Sequence, residues 1–178
     1  MRVPARVVLS VGSNLGDRLG TLQRCVQAIG RLPDTDVVAI SPVYQTAPVG
    51  GPPQPDYLNA VLIVATGLPP RDLLAAAHRI EAAFGRVRAE RFGPRTLDID
   101  IISYGSEVSS DPVLTLPHPR AHERAFVLQP WHDVEPGAEL PGRGAVDQLL
   151  DGLDRRGVRH VPDAVLQLPD SGSPARMP

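Results

Sequence analysis

The stretch that decides the fold reads Arg86-Val87-Arg88-Ala89-Glu90-Arg91-Phe92-Gly93-Pro94-Arg95-Thr96-Leu97-Asp98-Ile99-Asp100-Ile101-Ile102. In its second half Leu97, Ile99 and Ile101 alternate with Asp98 and Asp100. Side chains two apart in a strand share a face. The spacing therefore predicts a strand with both carboxylates on one side and the apolar set on the other. The first half places Arg86, Arg88, Arg91 and Arg95 in a short segment punctuated by Gly93 and Pro94. Two ionised carboxylates side by side repel unless a cation sits between them. Oxygen ligands so spaced suit Mg²⁺, which binds through one or two carboxylates plus substrate phosphates. Arginine forks match phosphate geometry. Two readings fit: metal holders and charge clamps of a phosphoryl-transfer site, or a solvent-facing edge strand with its acids paired to a basic loop.

Working outward, Val7 to Val11 is an apolar, β-branched run that reads as a buried strand. The turn from Gly12 to Asp17 leads into a helix with Leu19, Leu22, Val26 and Ile29 at helical spacing and Asp17 as its cap. Val37 to Ser41 starts a second strand, with Pro42 marking an edge or bulge and Tyr44 and Thr46 continuing it. A Pro/Gly-dense loop from Ala47 to Asp56 precedes a third strand, Tyr57 to Val64. Pro69 and Pro70 open a second helix with a stripe of Leu73, Ala77, Ile80 and Phe84, capped by Gly85. The order is β-α-β-β-α-β. This is the ferredoxin-like α+β arrangement, an antiparallel sheet with helices on one face and the other face open to ligand. Further on, Leu114 to Pro119 reads as extended. Ala121 to Trp131 reads as a helix stopped by Pro130, and Val146 to Leu150 as a short helical piece. Residues 1–161 are expected to form one domain, with 162–178 a weakly ordered tail.

A length of 178 residues suits one domain with a real core. The net charge of -2 argues against a general nucleic-acid binder, although a ferredoxin-like RNA-binding module is the rival from another class. The lone Cys25 excludes an internal disulfide and a multi-cysteine metal site. No apolar run reaches membrane length and no secretory signal is legible, so a cytoplasmic protein is expected.

Other motifs are weaker. Gly12-Ser13-Asn14-Leu15-Gly16 lacks the Gly-Lys-Ser/Thr ending of a phosphate loop and the dinucleotide glycine spacing, so it reads as a tight turn. His118 and His122 are four apart, but Pro119 between them argues against a helical zinc site. Tyr57 shares a strand face with Asn59, an aromatic and an amide fit for a pocket wall.

Four segments together resemble the 6-hydroxymethyl-7,8-dihydropterin pyrophosphokinase family. They are Gly-Ser-Asn-Leu-Gly-Asp at 12–17, Gln-Pro-Asp-Tyr-Leu-Asn at 54–59, Glu-Arg-Phe-Gly-Pro-Arg-Thr-Leu-Asp-Ile-Asp-Ile at 90–101 and Leu-Pro-His-Pro at 116–119. The resemblance runs from about Val7 to about Leu150. It implies ATP-dependent pyrophosphate transfer to a pterin hydroxymethyl group, with release of AMP, in folate biosynthesis. Asp98 and Asp100 would hold two Mg²⁺ ions. Arg95 would clamp phosphate, and Arg86 and Arg88 would belong to a loop closing over ATP, with Arg91 nearby. Tyr57 and Phe126 would sandwich the pterin, with Asn59 on its edge and Thr46, Ala47, Pro48, Val49 and Phe92 around it. His78, Glu81, Ile101, Thr115, His118 and Arg124 would contact or support the nucleotide. The partners implied are these small molecules alone, on a monomer, with no nucleic acid or membrane. Phe92 stands where the family often has Trp, His78 where Gln is expected, Pro119 where some members carry Tyr, and Val113 where a basic residue can occur.

Overall fold

A computed structural model describes residues 3–48, 50–85 and 96–170. Strand β1 (Ala5–Ser13) lies inside the sheet, and from Val7 to Ser13 it is buried throughout. It pairs antiparallel with β4 (Tyr57–Thr66) on one side and β5 (Asp98–Tyr104) on the other. β2 (Thr35–Ile40) and β3 (Tyr44–Thr46) lie along the far side of β4. Helix α1 (Arg18–Gly30) joins β1 to β2, and α2 (Pro70–Ala83) joins β4 to β5. The core is thus the expected βαββαβ ferredoxin-like arrangement, with order β5-β1-β4 and then β2 and β3.

Local chemistry explains the elements. The Asp17 carboxylate accepts from the Gly20 amide at 3.1 Å and caps α1. Leu22, Cys25, Val26 and Ile29 form the buried stripe of α1, and Leu73, Ala76 and Ala77 that of α2. Gly85 adopts φ +73° just beyond α2, the left-handed turn expected of it.

The expected second strand is divided. Pro42 has no N–H for the ladder, and β2 and β3 form as separate segments around it. Ser41 bridges the break: its amide donates to the Val61 carbonyl at 2.9 Å, and its hydroxyl accepts from the Val61 amide at 2.8 Å.

The two sheet faces carry separate cores. Val7, Leu9, Val11, Leu58, Leu62, Ile99 and Ile101 pack with α1 and α2. Val8, Val61, Ile63 and Ile102 pack with α3 (Ala125–Val134) and α4 (Val146–Asp151), through Val127, Leu128, Trp131, Val146 and Leu150. The expectation that the second face is open is therefore corrected: the C-terminal helices cover its deeper half. The helix expected from Ala121 to Trp131 is also revised. A 3-10 turn (Ala121–Glu123) is followed by an extended Arg124, with φ -109° and ψ 97°, before α3 begins. Pro130 lies inside α3 rather than ending it. Its ring withholds one amide from the Phe126 carbonyl, and burial of Pro130 beside Trp131 offsets that loss.

A short hairpin of β6 (Glu139–Leu140) and β7 (Gly144–Ala145) precedes α4. β8 (Val158–His160) then returns to pair with β3. Residues 162–170 depart from the weakly ordered tail that was expected. Ala164 and Leu166 are buried in the α1–α2 core. The Gln23 side chain donates to the Gln167 carbonyl at 2.9 Å and accepts from its amide at 2.8 Å. Among the described residues no helix is long and apolar enough to cross a membrane.

Candidate active site

The sheet register assembles the site. Gly12 of β1 lies between Asn59 of β4 and Asp98 of β5, and Ser10 lies beside Asp100. The alternation of a strand then puts Asp98, Asp100, Asn59 and Tyr57 on one face. This is the face that α3 covers farther along, where Val8, Val61 and Ile102 are buried. Gly12 is required by its neighbours: a Cβ there would stand 2.8 Å from Asn59 Oδ1 and 3.5 Å from Tyr57 Cδ1. On the next strand Tyr44 pairs with Asn59, and Thr46 with Tyr57. The buried Asn59 donates through Nδ2 to Thr46 Oγ1 at 2.7 Å. This bond fixes the orientation of the amide.

The loop that ends at Tyr57 is held from below by the turn after β1. Asn14, 1% exposed, donates through Nδ2 to Gln54 Oε1 at 2.8 Å and to the Pro55 carbonyl at 3.0 Å. Arg18 donates to the Asp56 carbonyl at 2.8 Å. Asp56 in turn receives Gln45 Nε2 at 3.1 Å and pairs with Arg159 at 3.5 Å. The Gly12–Gly16 turn is therefore more than a tight turn, because it anchors the loop opposite. Sequence reasoning missed Asn14 and Arg18 as site supports. The clue was a polar Asn where a helix was about to start.

Arg124 and His118 close the acidic side. Arg124 Nη1 lies 3.8 Å from Asp100 Oδ2, and its guanidinium sits 5.6 Å from the centroid of the Phe126 ring. Burial lowers the Arg124 pKa, opposed by the charges of Asp100 and Asp98. His118 follows a cis Leu116-Pro117 bond, and its amide donates to the Ile102 carbonyl at 2.8 Å. Burial lowers the His118 pKa against the pull of Asp100, with Arg124 and Arg120 adding to the lowering. Its Nδ1 accepts from the Arg120 amide at 3.1 Å. The neutral ring thus carries its proton on Nε2 and can act there as a donor.

Beneath β5 the Glu81 carboxylate, 2% exposed, accepts from the Ile99 amide at 3.1 Å. It holds the backbone between the two aspartates. His78 is exposed on α2, Ile101 is buried in the core, and Thr115 donates through its hydroxyl to the Asp111 carbonyl at 3.0 Å. Pro48 is half-buried and Ala47 exposed. Val49, Arg86, Arg88, Arg91, Phe92 and Arg95 lie outside the described residues. The structure therefore brings together Asp98, Asp100, His118, Arg124 and Phe126 at one side and Thr46, Tyr57 and Asn59 at the other. Among the described residues no group of three or more His, Cys, Asp or Glu could hold a metal ion. The acidic pair offers hard oxygen donors for a cation that completes its shell with phosphate and water.

The family model of 7,8-dihydro-6-hydroxymethylpterin-pyrophosphokinase (HPPK) matches residues 8–136. The chain belongs to this family. It is 46% identical over 188 aligned residues to the 2-amino-4-hydroxy-6-hydroxymethyldihydropteridine pyrophosphokinase of Mycobacterium leprae, covering 96% of this chain and 95% of that one. It is 41% identical to the enzyme of the same name from Pseudomonas aeruginosa, covering 89% of this chain and 98% of that one. Among solved structures, an HPPK-DHPS in complex with substrates superposes with a TM-score of 0.67 at 11% identity, over 85% of this chain. This chain spans 43% of that longer one, and the likeness is one of fold.

Proposed function

We infer that this chain transfers pyrophosphate from ATP to the hydroxymethyl group of 6-hydroxymethyl-7,8-dihydropterin, a step of folate biosynthesis in the cytoplasm. The carrying observation is that the Asp98–Asp100 pair and the Tyr57–Asn59 wall share one sheet face across Gly12. A flat heterocycle between Tyr57 and Phe126 would present its edge to Asn59, whose amide is already oriented by Thr46. Thr46, Ala47, Pro48 and Val49 would supply the remaining pterin contacts.

Asp98 and Asp100 would hold Mg²⁺. Bound there, it would neutralise phosphate charge and make the pterin hydroxyl more acidic. Two carboxylates on one face match such a cation in charge and in donor chemistry. Arg124 supplies positive charge that burial keeps strong. Neutral His118 donates from Nε2 to a phosphate oxygen. Arg86, Arg88, Arg91 and Arg95 would complete the clamp, and Phe92 would cover the pterin. His78, Glu81, Ile101 and Thr115 border or brace the nucleotide side. Transfer of this kind needs positioning and charge neutralisation more than covalent help from the protein.

The test is AMP release from ATP with Mg²⁺, with and without the pterin. Pterin-dependent AMP, one for each pyrophosphorylated product, is expected. ADP as the nucleotide product would replace this reading with transfer of a single phosphoryl group. Asp98→Asn and Asp100→Asn should each lower turnover by at least about a hundredfold, the scale for losing one electrostatic group in a preorganised site. Near-normal rates in both would remove the metal assignment.

A further inference from the structure

Helix α3 packs on the sheet and is linked to it by a polar contact at each end. Near its start Arg124 reaches Asp100 of β5 at 3.8 Å. Near its end Asp133 accepts from the Tyr44 hydroxyl of β3. Phe126 and Asp133 are seven residues apart, two turns, and so lie on the same side of the helix. The apolar contacts of Val127, Leu128 and Trp131 with the sheet set the height of the helix. Such contacts, with the sheet and with α4, are non-directional, and the polar links at the two ends add direction to them.

Tyr44 is built into this role. It is 8% exposed and pairs directly with Asn59. Its ring packs against His160 of β8, with centroids 5.6 Å apart and planes tilted by 43°. On the far side Asp133 also accepts from Gln129 at 3.0 Å, and Gln129 accepts from Arg155 at 3.3 Å. One residue thus touches three elements: the strand carrying Asn59, the helix carrying Phe126, and the returning strand β8.

We propose that Tyr44, through its hydroxyl bond to Asp133, is a positioning residue that fixes the separation and rotation of the Phe126 wall relative to the Asn59 wall. The role rests on the reaction proposed above. Without the bond, α3 rolls about its own axis on the apolar bed. Phe126 then meets a flat ring less well, while Arg124, in extended backbone ahead of the helix, keeps its place beside Asp100.

The test uses the full chain with Tyr44→Phe, Asp133→Asn and the double variant. Tyr44→Phe keeps the ring packing and removes only the donor. Binding of 6-hydroxymethyl-7,8-dihydropterin, with a non-hydrolysable ATP analogue present, is measured by calorimetry, and steady-state constants are measured alongside. The expected result is a rise of about five- to tenfold in pterin Kd and KM for each single variant, within the range of one ordinary hydrogen bond. The KM for ATP stays within about twofold, and the double variant is no worse than either single one. A folded Tyr44→Phe that binds pterin like the unaltered chain, even with lowered stability, would overturn the role. So would a double variant whose losses multiply. Failure of the unaltered chain to bind pterin would overturn the reaction assignment itself, and this role with it.

Discussion

Asn59 leaves room for nothing larger than Gly12 beside it, because a Cβ at position 12 would lie 2.8 Å from Asn59 Oδ1. The two sit side by side on neighbouring strands, and Asn59 is committed to its bond with Thr46. Gly12→Ala must therefore push the amide aside. The expected outcome is a folded protein whose KM for pterin rises between about ten- and a hundredfold, the penalty typical of ångström-scale misplacement. Steady-state kinetics at saturating ATP checks it, and an unchanged KM would show that Asn59 does not set pterin affinity.

Glu81 gives a second prediction. Its carboxylate accepts from the amide of Ile99, the residue between the two aspartates. Glu81→Gln keeps an acceptor and should retain most cation affinity. Glu81→Ala leaves a buried amide without this partner, a loss of about 1–3 kcal/mol. Weaker Mn²⁺ binding by Glu81→Ala, seen by electron paramagnetic resonance in the presence of nucleotide, is the expected outcome. Equal Mn²⁺ affinity in both variants would leave Glu81 as a stabiliser of the fold alone.

Alkaline pH should destabilise the protein through two groups. Burial, reinforced by the charge of Glu81, raises the pKa of the Cys25 thiol above its ordinary 9.0. Burial and the bond to Asp133 raise that of Tyr44 above its ordinary 10.0. The unfolded chain therefore loses these protons first. The stability they contribute is complete below about pH 9 and falls as the pH rises through the folded values. Urea midpoints at pH 8 and pH 10.5 should differ, and the difference should shrink in Cys25→Ala combined with Tyr44→Phe. A gap of the same size in that variant would place the effect elsewhere.

The α1 cap is a further target. Asp17→Ala removes the acceptor for the Gly20 amide, and the expected cost is about 1 kcal/mol. Thermal unfolding would read it as a drop of a few degrees. Because Arg18 and Asn14 hold the substrate loop from the same turn, a rise in pterin KM should accompany the loss of stability in Asp17→Ala. Full stability with an unchanged KM would mean that the cap is redundant.

Most of the framework was legible in local pattern. The Leu-Asp-Ile-Asp-Ile alternation located β5, and the three- and four-residue spacings located α1 and α2, because periodicity records which side faces the core. What could not be read depended on distant partners. Pro130 looked like a helix stop, since the apolar bed beneath α3 that offsets its missing amide is contributed by Val61, Ile63 and Ile102 far away in sequence. The segment after Pro162 looked too polar to order itself. Its described part, up to residue 170, is secured by Gln23, a surface position of α1 whose side chain gives no such hint. Within the site, Tyr57 and Asn59 were recognisable as a pair on one strand face. The need for Gly12 beside them, and the grip of Asn14 on Gln54 and Pro55, appear only once β1 and β4 are in register.

The outer border of β5 has a consequence for the behaviour of the protein in a crowded solution. β5 ends the main sheet, and its outward backbone groups would ordinarily offer a template for a strand from another molecule. Here the Ile99 amide is occupied by the Glu81 carboxylate and the Ile102 carbonyl by the His118 amide. The groups that brace the site therefore also occupy backbone positions that a second strand would need, and a strand laid there would compete with the backbone on which both aspartates depend.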